Sequence, residues 1–461
     1  MSGPIHNLLA LRDWARNQAW LNGIYRLLPM ALRYRFSQAL INRMMRASRF
    51  PPLPVTVVEQ VRGSDRKSAP ALYSNAHGVN LFGYFRGQFG LAEAARSYAK
   101  ALMDAGYPVA LVDIDIDLPH GFDEQCLGSD LGEDAPYLTS VIFVNPDFLT
   151  TALERIGAAR LQGRYLIACW FWELERVPDE WLPAVEQVDE IMVASNFVEE
   201  AFRAATGKPV LKVPLPLPDA RDSGVQRRDF GLPEEDFIFL TSFDFHSWVQ
   251  RKNPAAVVEA FLRAFPDPSC KVKLLVKTSN GARHPQAFAE LLGAARREPR
   301  IMVRDGILDS RHMTALQRCC DAYVSLHRAE GFGLGMAECM SLGKPVVATG
   351  WSGNMEFMTG ENSCLVGYRL IDVQPDGYLH SAGQRWADPD TSEASNWMQR
   401  LVADPSLARR IGNRAIKEVS VALSGRRAAA RMIERLEQIA ENATGKPASK
   451  RIGMTRQRTS P

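Results

Sequence analysis

The sequence has no long uninterrupted run of apolar residues, although 46% of its 461 residues are hydrophobic. No stretch approaches the roughly 18 apolar residues that a membrane-spanning helix needs. Near the N-terminus, Arg12, Asp13 and Arg16 interrupt the apolar residues, which argues against a secretory signal peptide. The ordinary share of charged residues, 23%, excludes collagen and global disorder. We therefore expect a cytoplasmic protein with two domains plus extensions.

Cysteine and histidine are scarce and scattered. The seven cysteines include no C-x-x-C pair, and the eight histidines show no H-x-x-x-H spacing. These absences argue against a disulfide framework and against a clustered metal site. The fingerprint Gly-x-Gly-x-x-Gly is also absent, which argues against NAD binding. We expect reduced thiols, no cofactor and no required metal.

The net charge of +3 is unevenly distributed, because residues 7–49 hold eight arginines and one acid. The last residues, 445–461, hold five basic residues and no acid, so the body of the chain is acidic. Apolar residues recur at helical spacing over 7–49, which predicts a helical extension within residues 1–55. We expect this extension either to lie on an anionic membrane surface or to pack on the first domain. The tail over 444–461 is expected to be disordered.

From about residue 80, short apolar runs alternate with amphipathic stretches, and the alternation restarts after a proline-rich linker around 210–220. The candidate strands are 109–114, 140–144, 165–170, 190–194, 237–242, 271–276, 301–304, 321–325 and 345–348. The candidate helices include 91–105, 196–205, 254–265, 286–296, 311–319, 335–342 and a final helical stretch over 406–441. The alternation predicts an α/β fold. We expect two Rossmann-like, doubly wound parallel-sheet domains, 70–213 and 219–405, facing a central cleft, with helices over 406–443 packing back across them.

A glycine loop between a strand and a helix is the strongest local signal. It reads Glu330-Gly-Phe-Gly-Leu-Gly-Met-Ala-Glu338, and its glycines are Gly331, Gly333 and Gly335. Glycines let a backbone approach a ligand closely, and the start of the following helix offers N–H groups to a phosphate. We expect the helix to open near Gly335, with Glu338 in its first turn accepting sugar hydroxyls. Glu330 would lie on the other side of the bound group.

Basic residues follow two strands of the second half. Arg251 and Lys252 precede Pro254, which suits the first turn of a helix, and Lys277 is expected to end the next strand. Ligands of an open parallel sheet sit outside the carboxyl ends of its strands. Arg251 can fork onto two phosphate oxygens and Lys252 can act as a point charge. The sequence therefore predicts an anion site beside the glycine loop.

The chain resembles the family-4 retaining glycosyltransferases (glycosyl transferases group 1), which have the GT-B architecture, over about residues 80–367. The most specific part is the E-x7-E signature, Glu330 to Glu338, supported by Arg-Lys-Asn-Pro at 251–254 and by Gly-Lys-Pro-Val-Val-Ala-Thr at 343–349. A second glycine loop, from Gly87 to Gly90, opens the helix over 91–105. The resemblance implies that this loop closes over the reaction centre and faces the acceptor.

The resemblance also implies roles for the donor site. Lys252 and a neighbouring arginine would hold the diphosphate, and the amides around Gly333, Leu334 and Gly335 would hold the distal phosphate. Glu338 would take the ribose hydroxyls, and Glu330 would face the donor sugar.

Two departures from the family pattern change these expectations. Relatives often have Gly-Arg after the first strand of the second domain, where this chain has Phe243-Asp244-Phe245. Arg251 or Lys277 is expected to replace that arginine. Relatives also place a histidine where this chain has Trp172-Glu173, within Cys169–Glu173. Trp172 or Glu173 is expected to serve there in sugar or acceptor binding, whereas Trp170 is expected in the core.

Two other features are less informative. Asp115 and Asp117 resemble the metal-binding D-x-D of a different glycosyltransferase architecture, but their setting favours outward-facing strand positions. His327 directly precedes Arg328 and is a candidate to line the pocket.

We expect a retaining glycosyltransferase that moves a sugar from a nucleotide-diphosphate sugar to a hydroxyl acceptor, with Glu330, Lys252 and Glu173 at the reaction centre. Its acceptor is expected to be a glycan or lipid-linked glycan of bacterial surface polysaccharide or glycolipid synthesis, on the inner face of the membrane. No nucleic-acid partner is expected. The alternatives are a sugar-nucleotide epimerase or hydrolase of the same fold, and a non-catalytic nucleotide-sugar binding protein.

Overall fold

The computed structural model of the protein describes residues 48–54, 75–114, 130–217 and 222–444. The predicted helix over 7–49, apart from its last two residues, and the predicted tail after Thr444 lie outside these ranges. The described chain divides into two compact units. The larger unit takes 48–54, 171–182, 193–217 and 222–424, and the smaller takes 75–114, 130–170, 183–192 and 425–444.

The first half of the chain forms a six-stranded sheet with helices between its strands. The strands are β1 (Asn75–Gly83), β2 (Val109–Asp113), β3 (Tyr137–Phe143), β4 (Tyr165–Cys169), β5 (Glu190–Val193) and β6 (Val210–Lys212). The helices are α1 (Gly90–Asp104), α2 (Pro146–Ile156), α3 (Ala158–Leu161), α4 (Leu182–Glu186) and α5 (Asn196–Ala205). The sheet order is β2-β1-β3-β4-β5-β6, and β1 to β5 pair in parallel.

The second half repeats this pattern. Its strands are β7 (Phe237–Asp244), β8 (Val272–Ser279), β9 (Ile301–Asp305), β10 (Ala322–Ser325), β11 (Val346–Thr349), β12 (Cys364–Val366), β13 (Tyr368–Asp372) and β14 (Arg385–Pro389). Its helices are α6 (Val249–Lys252), α7 (Pro254–Ala264), α8 (Pro285–Arg297), α9 (Ser310–Cys319), α10 (Leu334–Ser341), α11 (Thr391–Ala403), α12 (Pro405–Ala422) and α13 (Gly425–Thr444). The parallel sheet has the order β12-β11-β10-β7-β8-β9, and β13 pairs antiparallel with β14.

The apolar runs predicted as strands are buried in these sheets. On β8, Leu274 and Val276 are fully buried and belong to one apolar cluster with Phe261 of α7 and Phe288 of α8. Strands covered by helices are apolar on consecutive positions, which is why the sequence showed short continuous runs. The predicted fold class is therefore confirmed.

The structure differs from the predicted organisation at three places. The predicted linker around 210–220 begins with β6, so its first residues belong to the sheet. The helical stretch over 406–441 is two helices, α12 in the larger unit and α13 in the smaller. The sequence pattern gave no sign of the hairpin β13–β14, because its strands are short and partly exposed.

Residues 48–54 pack on the edge strand of the second sheet. The backbone oxygen of Ser48 accepts a hydrogen bond from the N–H of Asp305, the last residue of β9, over 2.9 Å. The Phe50 ring lies edge-on to that of Phe230, with 6.1 Å between the ring centroids. The described end of the N-terminal extension therefore contacts the second sheet, which neither alternative from the sequence anticipated.

Candidate active site

The glycine loop joins β10 to α10, as predicted. A Cβ on Gly331 would lie 2.9 Å from the backbone oxygen of Trp172, and a Cβ on Gly353 would lie 2.1 Å from the oxygen of Gly331. Gly333 has a φ of 93°, which a residue with a side chain adopts only with strain. Glycine is therefore required at Gly331 and Gly353, where two backbone segments approach closely, and at Gly333, where the chain enters the helix.

The helix α10 begins at Leu334, and Glu338 is its fifth residue. The prediction that Glu338 lies in the first turn is therefore wrong, because the helix starts one residue before Gly335. No side chain caps this end, and the amides of Leu334 and Gly335 have no hydrogen-bond acceptor within the described residues. Such uncapped N–H groups, with the helix dipole, favour a bound anion.

Glu330 lies against two cations, the buried Arg251 and the half-buried Lys252. Lys252 donates from Nζ to Glu330 Oε1 over 2.5 Å, and Arg251 Nη1 lies 3.4 Å from Glu330 Oε2. Burial alone would raise the pKa of Glu330, but Lys252 and Arg251 outweigh it and bring that pKa down to about 2. Glu330 is therefore ionised at neutral pH, and its backbone N–H is fixed by a 2.9 Å bond to Ser352 Oγ.

Arg251 lies beneath this carboxylate and is only 4% exposed. Its Nη1 also donates to the backbone oxygen of Ala329 over 2.8 Å, and its Nη2 lies 3.6 Å from Glu173 Oε1. Glu173 accepts a hydrogen bond from the Tyr378 hydroxyl over 2.6 Å. Burial would lower the pKa of Arg251, but the two carboxylates raise it above its ordinary value. Five side chains form this network, which we call the Arg251 cluster: Glu173, Arg251, Lys252, Glu330 and Tyr378.

Lys277 lies two residues before the end of β8, not at the end as predicted. It is 9% exposed and makes no hydrogen bond or ion pair within the described residues. Burial lowers the pKa of Lys277, while the charges of Asp244, Asp305 and Glu338 oppose that shift. A buried ammonium group without a counter-ion is costly, so Lys277 is a candidate to bind an anion.

Glu338 is partly exposed and lies near Lys277. Its Oε2 accepts a hydrogen bond from Gln317 Nε2 over 2.6 Å. Ser242 pairs with Lys277 across β7 and β8, and a Cβ on Gly335 would lie 3.8 Å from the Ser242 hydroxyl. The structure therefore places Lys277 beside the start of α10.

The second glycine loop lies in the smaller unit. The helix α1 begins at Gly90, one residue before the predicted start. The backbone oxygens of Phe85 and Gly87 both accept from Arg96 Nη1, over 2.8 and 2.7 Å. Arg96 thus fixes the course of this loop. Asp115 and Asp117 lie outside the described residues.

Three other candidate residues are buried. Trp170 is fully buried and donates to the backbone oxygen of Val144, as a core residue should. Trp172 is 1% exposed, so its ring has no open face for a sugar. His327 does not line an open pocket: it is fully buried and makes close contacts with Ser325 Oγ and Asn354 Oδ1. These contacts hold the chain segment that leads into Glu330.

Two aromatic residues at the site were not among the predicted residues. Tyr378 comes from the loop between β13 and β14, far along the chain from its partners. Trp248 has a φ of 64°, unusual for a bulky residue, and its ring lies 5.7 Å from that of Tyr378. No sequence spacing connects Tyr378 to the site, whereas the position of Trp248 just before Arg251 was a usable signal.

Two further properties of the described residues bear on function. No helix among them is long and apolar enough to cross a bilayer. Among the same residues, no three His, Cys, Asp or Glu side chains are grouped so that they could hold a metal ion.

Solved structures of glycosyltransferases resemble the chain. HepE from Anabaena, solved with UDP and glucose, is 18% identical, covers 78% of this chain and 100% of its own, with a TM-score of 0.53. Sucrose-phosphate synthase from Thermosynechococcus elongatus is 17% identical, covering 78% and 99%, with a TM-score of 0.55. The pneumococcal O-GlcNAc transferase GtfA, solved with UDP and GlcNAc, is 10% identical, covering 79% and 99%, with a TM-score of 0.55. At these identities the similarity establishes the fold alone, and that fold is GT-B.

Part of the second half of the chain also matches a known sequence family. Residues 237–373, which contain the glycine loop, Lys252 and Lys277, match the family described as glycosyl transferases group 1. No curated protein matches the sequence. Over these residues the chain resembles the group 1 glycosyltransferases.

Proposed function

We propose that the protein transfers a sugar from a nucleotide-diphosphate donor to a hydroxyl acceptor, with retention at the anomeric carbon. One observation carries the proposal: the buried ammonium of Lys277, which makes no ion pair within the described residues, lies beside the uncapped start of α10. Both features favour a phosphate-bearing ligand. They belong to the same stretch of chain that matches the glycosyltransferase family.

Departure of the nucleoside diphosphate develops negative charge on its phosphate oxygens. Donors fixed in advance and aimed at that charge stabilise the transition state without reorganising during the reaction. In our proposal the donors are Lys252, Lys277 and the amides of Leu334 and Gly335. Glu338 accepts the ribose hydroxyls, so the nucleoside lies toward Gln317. No metal ion is required, because these groups supply the positive charge.

Lys252 has two competing partners in this scheme. Without donor it is paired with Glu330 over 2.5 Å. A bound diphosphate brings two or more negative charges and draws Lys252 away from the carboxylate. Glu330 then accepts from a hydroxyl of the donor sugar while Arg251 continues to neutralise it. Donor binding and orientation of the sugar are thereby coupled through one lysine.

Retention is expected without a covalent sugar–enzyme intermediate. A double displacement needs a carboxylate oxygen free to attack the anomeric carbon, whereas Glu330 is held by Lys252 and Arg251. Glu173 is held by Arg251 and Tyr378, so its role in our proposal is to position Arg251. The acceptor would attack the face that the leaving group vacates, and a phosphate oxygen would take its proton.

UDP-sugars are the first donors to test, because the HepE and GtfA structures contain UDP. The experiment is a thermal-shift scan with UDP-, GDP- and ADP-sugars, followed by donor cleavage measured with and without glycan acceptors and with EDTA. A ligand at 100 times its Kd stabilises by about 2.7 kcal/mol. Acceptor-stimulated cleavage that survives EDTA supports the proposal. Epimerised product, or hydrolysis that acceptors never stimulate, indicates the alternative enzymes, and binding without turnover indicates a non-catalytic protein.

We propose further that the acceptor is a glycan or lipid-linked glycan of bacterial surface synthesis, met at the inner face of the membrane through residues 7–47. The support is the sequence pattern of arginines and apolar residues, since each basic residue near an anionic leaflet contributes about 1 kcal/mol. The test is flotation with anionic liposomes. The full chain should float, less at high salt, and a chain beginning at Ser48, which keeps its contact with β9, should not. Equal flotation of both, or of neither, removes the membrane role.

A further inference from the structure

The loop between β13 and β14 contributes to the Arg251 cluster from outside the family match, which ends at residue 373. Two reciprocal hydrogen bonds hold this loop to segment 171–182: Arg176 N–H donates to Gln384 Oε1 over 3.2 Å, and Gln384 Nε2 donates to the Arg176 backbone oxygen over 2.6 Å. Gln384 itself is only 4% exposed. The loop is therefore anchored at one end, and its other residues include Tyr378.

Tyr378 contacts both members of the ion pair between Arg251 and Glu173. Its hydroxyl donates to Glu173 Oε2 over 2.6 Å, and the Arg251 guanidinium lies 5.5 Å from the centre of its ring. A guanidinium at this distance is attracted to the ring face. The ring is itself held by Trp172 and Trp248, with centroid distances of 5.9 and 5.7 Å.

Arg251 is shared unequally between two carboxylates. It lies 3.4 Å from Glu330 and 3.6 Å from Glu173, both longer than a tight ion pair. Its buried Nε has no hydrogen-bond partner in the part of the chain that the structure describes. A small rotation would therefore let Arg251 close fully onto Glu173 and leave Glu330. The Tyr378 hydroxyl opposes this rotation, because it occupies Glu173 Oε2 and fixes that carboxylate at its present distance.

The conformation of Trp248 is a second, independent sign of function. Its positive φ is costly for a bulky side chain, and such strain persists where the surroundings require it. Trp248 lies three residues before Arg251, and its ring packs edge-on against that of Tyr378.

We propose that Tyr378 is a positioning residue for sugar transfer. It acts through Glu173 and Arg251 to hold Glu330 toward the donor sugar, and it takes no part in binding the nucleotide. The inference rests on the proposed function, since it assigns the hairpin loop a role in the same donor site. It adds that an element outside the family match controls the reaction centre.

The test compares Tyr378→Phe, which removes only the hydroxyl, with Tyr368→Phe on the same hairpin, whose side chain is exposed. The substrate is whichever of UDP-glucose, UDP-N-acetylglucosamine and GDP-mannose the wild-type chain cleaves fastest. We expect kcat to fall about tenfold or more in Tyr378→Phe, with the Kd for the matching nucleoside diphosphate unchanged within twofold and the melting temperature close to wild type. Tyr368→Phe should match the wild type in all three.

A double-substitution cycle separates positioning from a general loss of structure. Adding Tyr378→Phe to Glu173→Gln should lower kcat little further, because both substitutions break the same hydrogen bond between Tyr378 and Glu173. If the two residues acted independently, the two fold-losses in kcat would multiply. Three outcomes would overturn this inference but not the proposed function. They are a wild-type kcat in Tyr378→Phe, fold-losses in kcat that multiply in the double variant, and a parallel loss of nucleotide affinity and melting temperature. A wild-type chain that neither binds nor cleaves any of the sugar nucleotides would overturn the proposed function and the inference with it.

Discussion

The ammonium of Lys252 and the carboxylate of Glu330 are in direct contact, with 2.5 Å between Nζ and Oε1. Each residue therefore neutralises the other until a ligand arrives. In the proposed function, a diphosphate competes with Glu330 for Lys252, and a sugar hydroxyl competes with Lys252 for Glu330.

Removing the lysine should abolish most of the turnover. In Lys252→Ala we expect kcat to fall about 10²- to 10³-fold, which is typical for loss of one fixed donor to the charge that develops in the transition state. The matched control is Lys271→Ala, an exposed lysine that bonds Glu235 on the surface. Near wild-type turnover in Lys252→Ala, measured by release of nucleoside diphosphate, would contradict the assigned role.

Substitutions of Glu338 and Glu330 should have different effects on nucleotide binding and on sugar transfer. Glu338→Gln is expected to weaken binding of the bare nucleoside diphosphate about tenfold or more, because a hydrogen bond to a charged acceptor is among the stronger ones. Glu330→Gln should leave that affinity nearly unchanged and impair transfer instead. Isothermal titration with UDP and a turnover assay on both variants make the comparison. Equal behaviour toward UDP would show that the division of roles is wrong.

Lys277 should make the affinity for the nucleotide fall at alkaline pH. Burial places its pKa below the ordinary 10.5, so its charge is lost as pH rises through that lowered value, and affinity for UDP should fall there. Without ligand the unfolded chain holds this proton more tightly, so the free energy of unfolding should rise over the same range up to pH 10.5. Lys277→Met should bind UDP more weakly and lose both dependences. Lys273→Met, on the same strand, serves as control, and an unchanged fall in affinity at alkaline pH in Lys277→Met would refute the assignment.

Glu330 should make the fold acid-sensitive. Its pKa of about 2 lies below the ordinary 4.5, so it contributes stability above pH 4.5 that is lost as the pH falls toward 2. The contribution is up to about 3 kcal/mol. Urea unfolding followed between pH 5 and pH 3 should show a steeper loss for the wild type than for Glu330→Gln. Parallel curves would mean that the carboxylate is not stabilised by its cations.

A methyl group at Gly353 should disturb the glycine loop, which Gly353 contacts at Gly331. A Cβ there would lie 2.1 Å from the backbone oxygen of Gly331, and backbone atoms cannot give way as a side-chain end can. We expect Gly353→Ala to lower the free energy of unfolding by about 1–3 kcal/mol and to displace the loop. Gly360→Ala, where a Cβ would meet nothing within 4 Å, should be nearly neutral. Similar melting curves for the two variants would contradict the close backbone contact.

Local sequence patterns were sufficient to predict most of the helices and strands. Residues 196–205 were predicted as a helix and form α5 with the same bounds, because an apolar period and the N-cap Ser195 act within one segment. The strand of Lys277 was predicted to end at 276, three residues before its observed end at Ser279, since its polar end is covered only in the folded chain. The hairpin β13–β14 was missed because antiparallel pairing of short, half-exposed strands leaves little apolar period.

The site was predictable in its residues but not in its contacts. Glycine spacing and strand ends singled out Glu330, Lys252 and Lys277 from the sequence. Which cation Glu330 contacts, and that Arg251 turns inward to Glu173, depends on the packing of segment 171–182 against the loop. No periodicity encodes such a long-range arrangement, so Tyr378 could only be found in the folded structure.

The short stretch from Ser48 to Pro54 has a consequence for how the chain behaves in solution. A strand at the border of a sheet presents unpaired N–H and C=O groups, on which another molecule can add a strand of its own. Here the last N–H of β9 is taken by Ser48, and Phe50 lies beside it against Gly306. A chain cut after Pro54 would uncover this border and should self-associate more readily, so shortened versions made for crystallisation are better begun at Ser48 than at Val55.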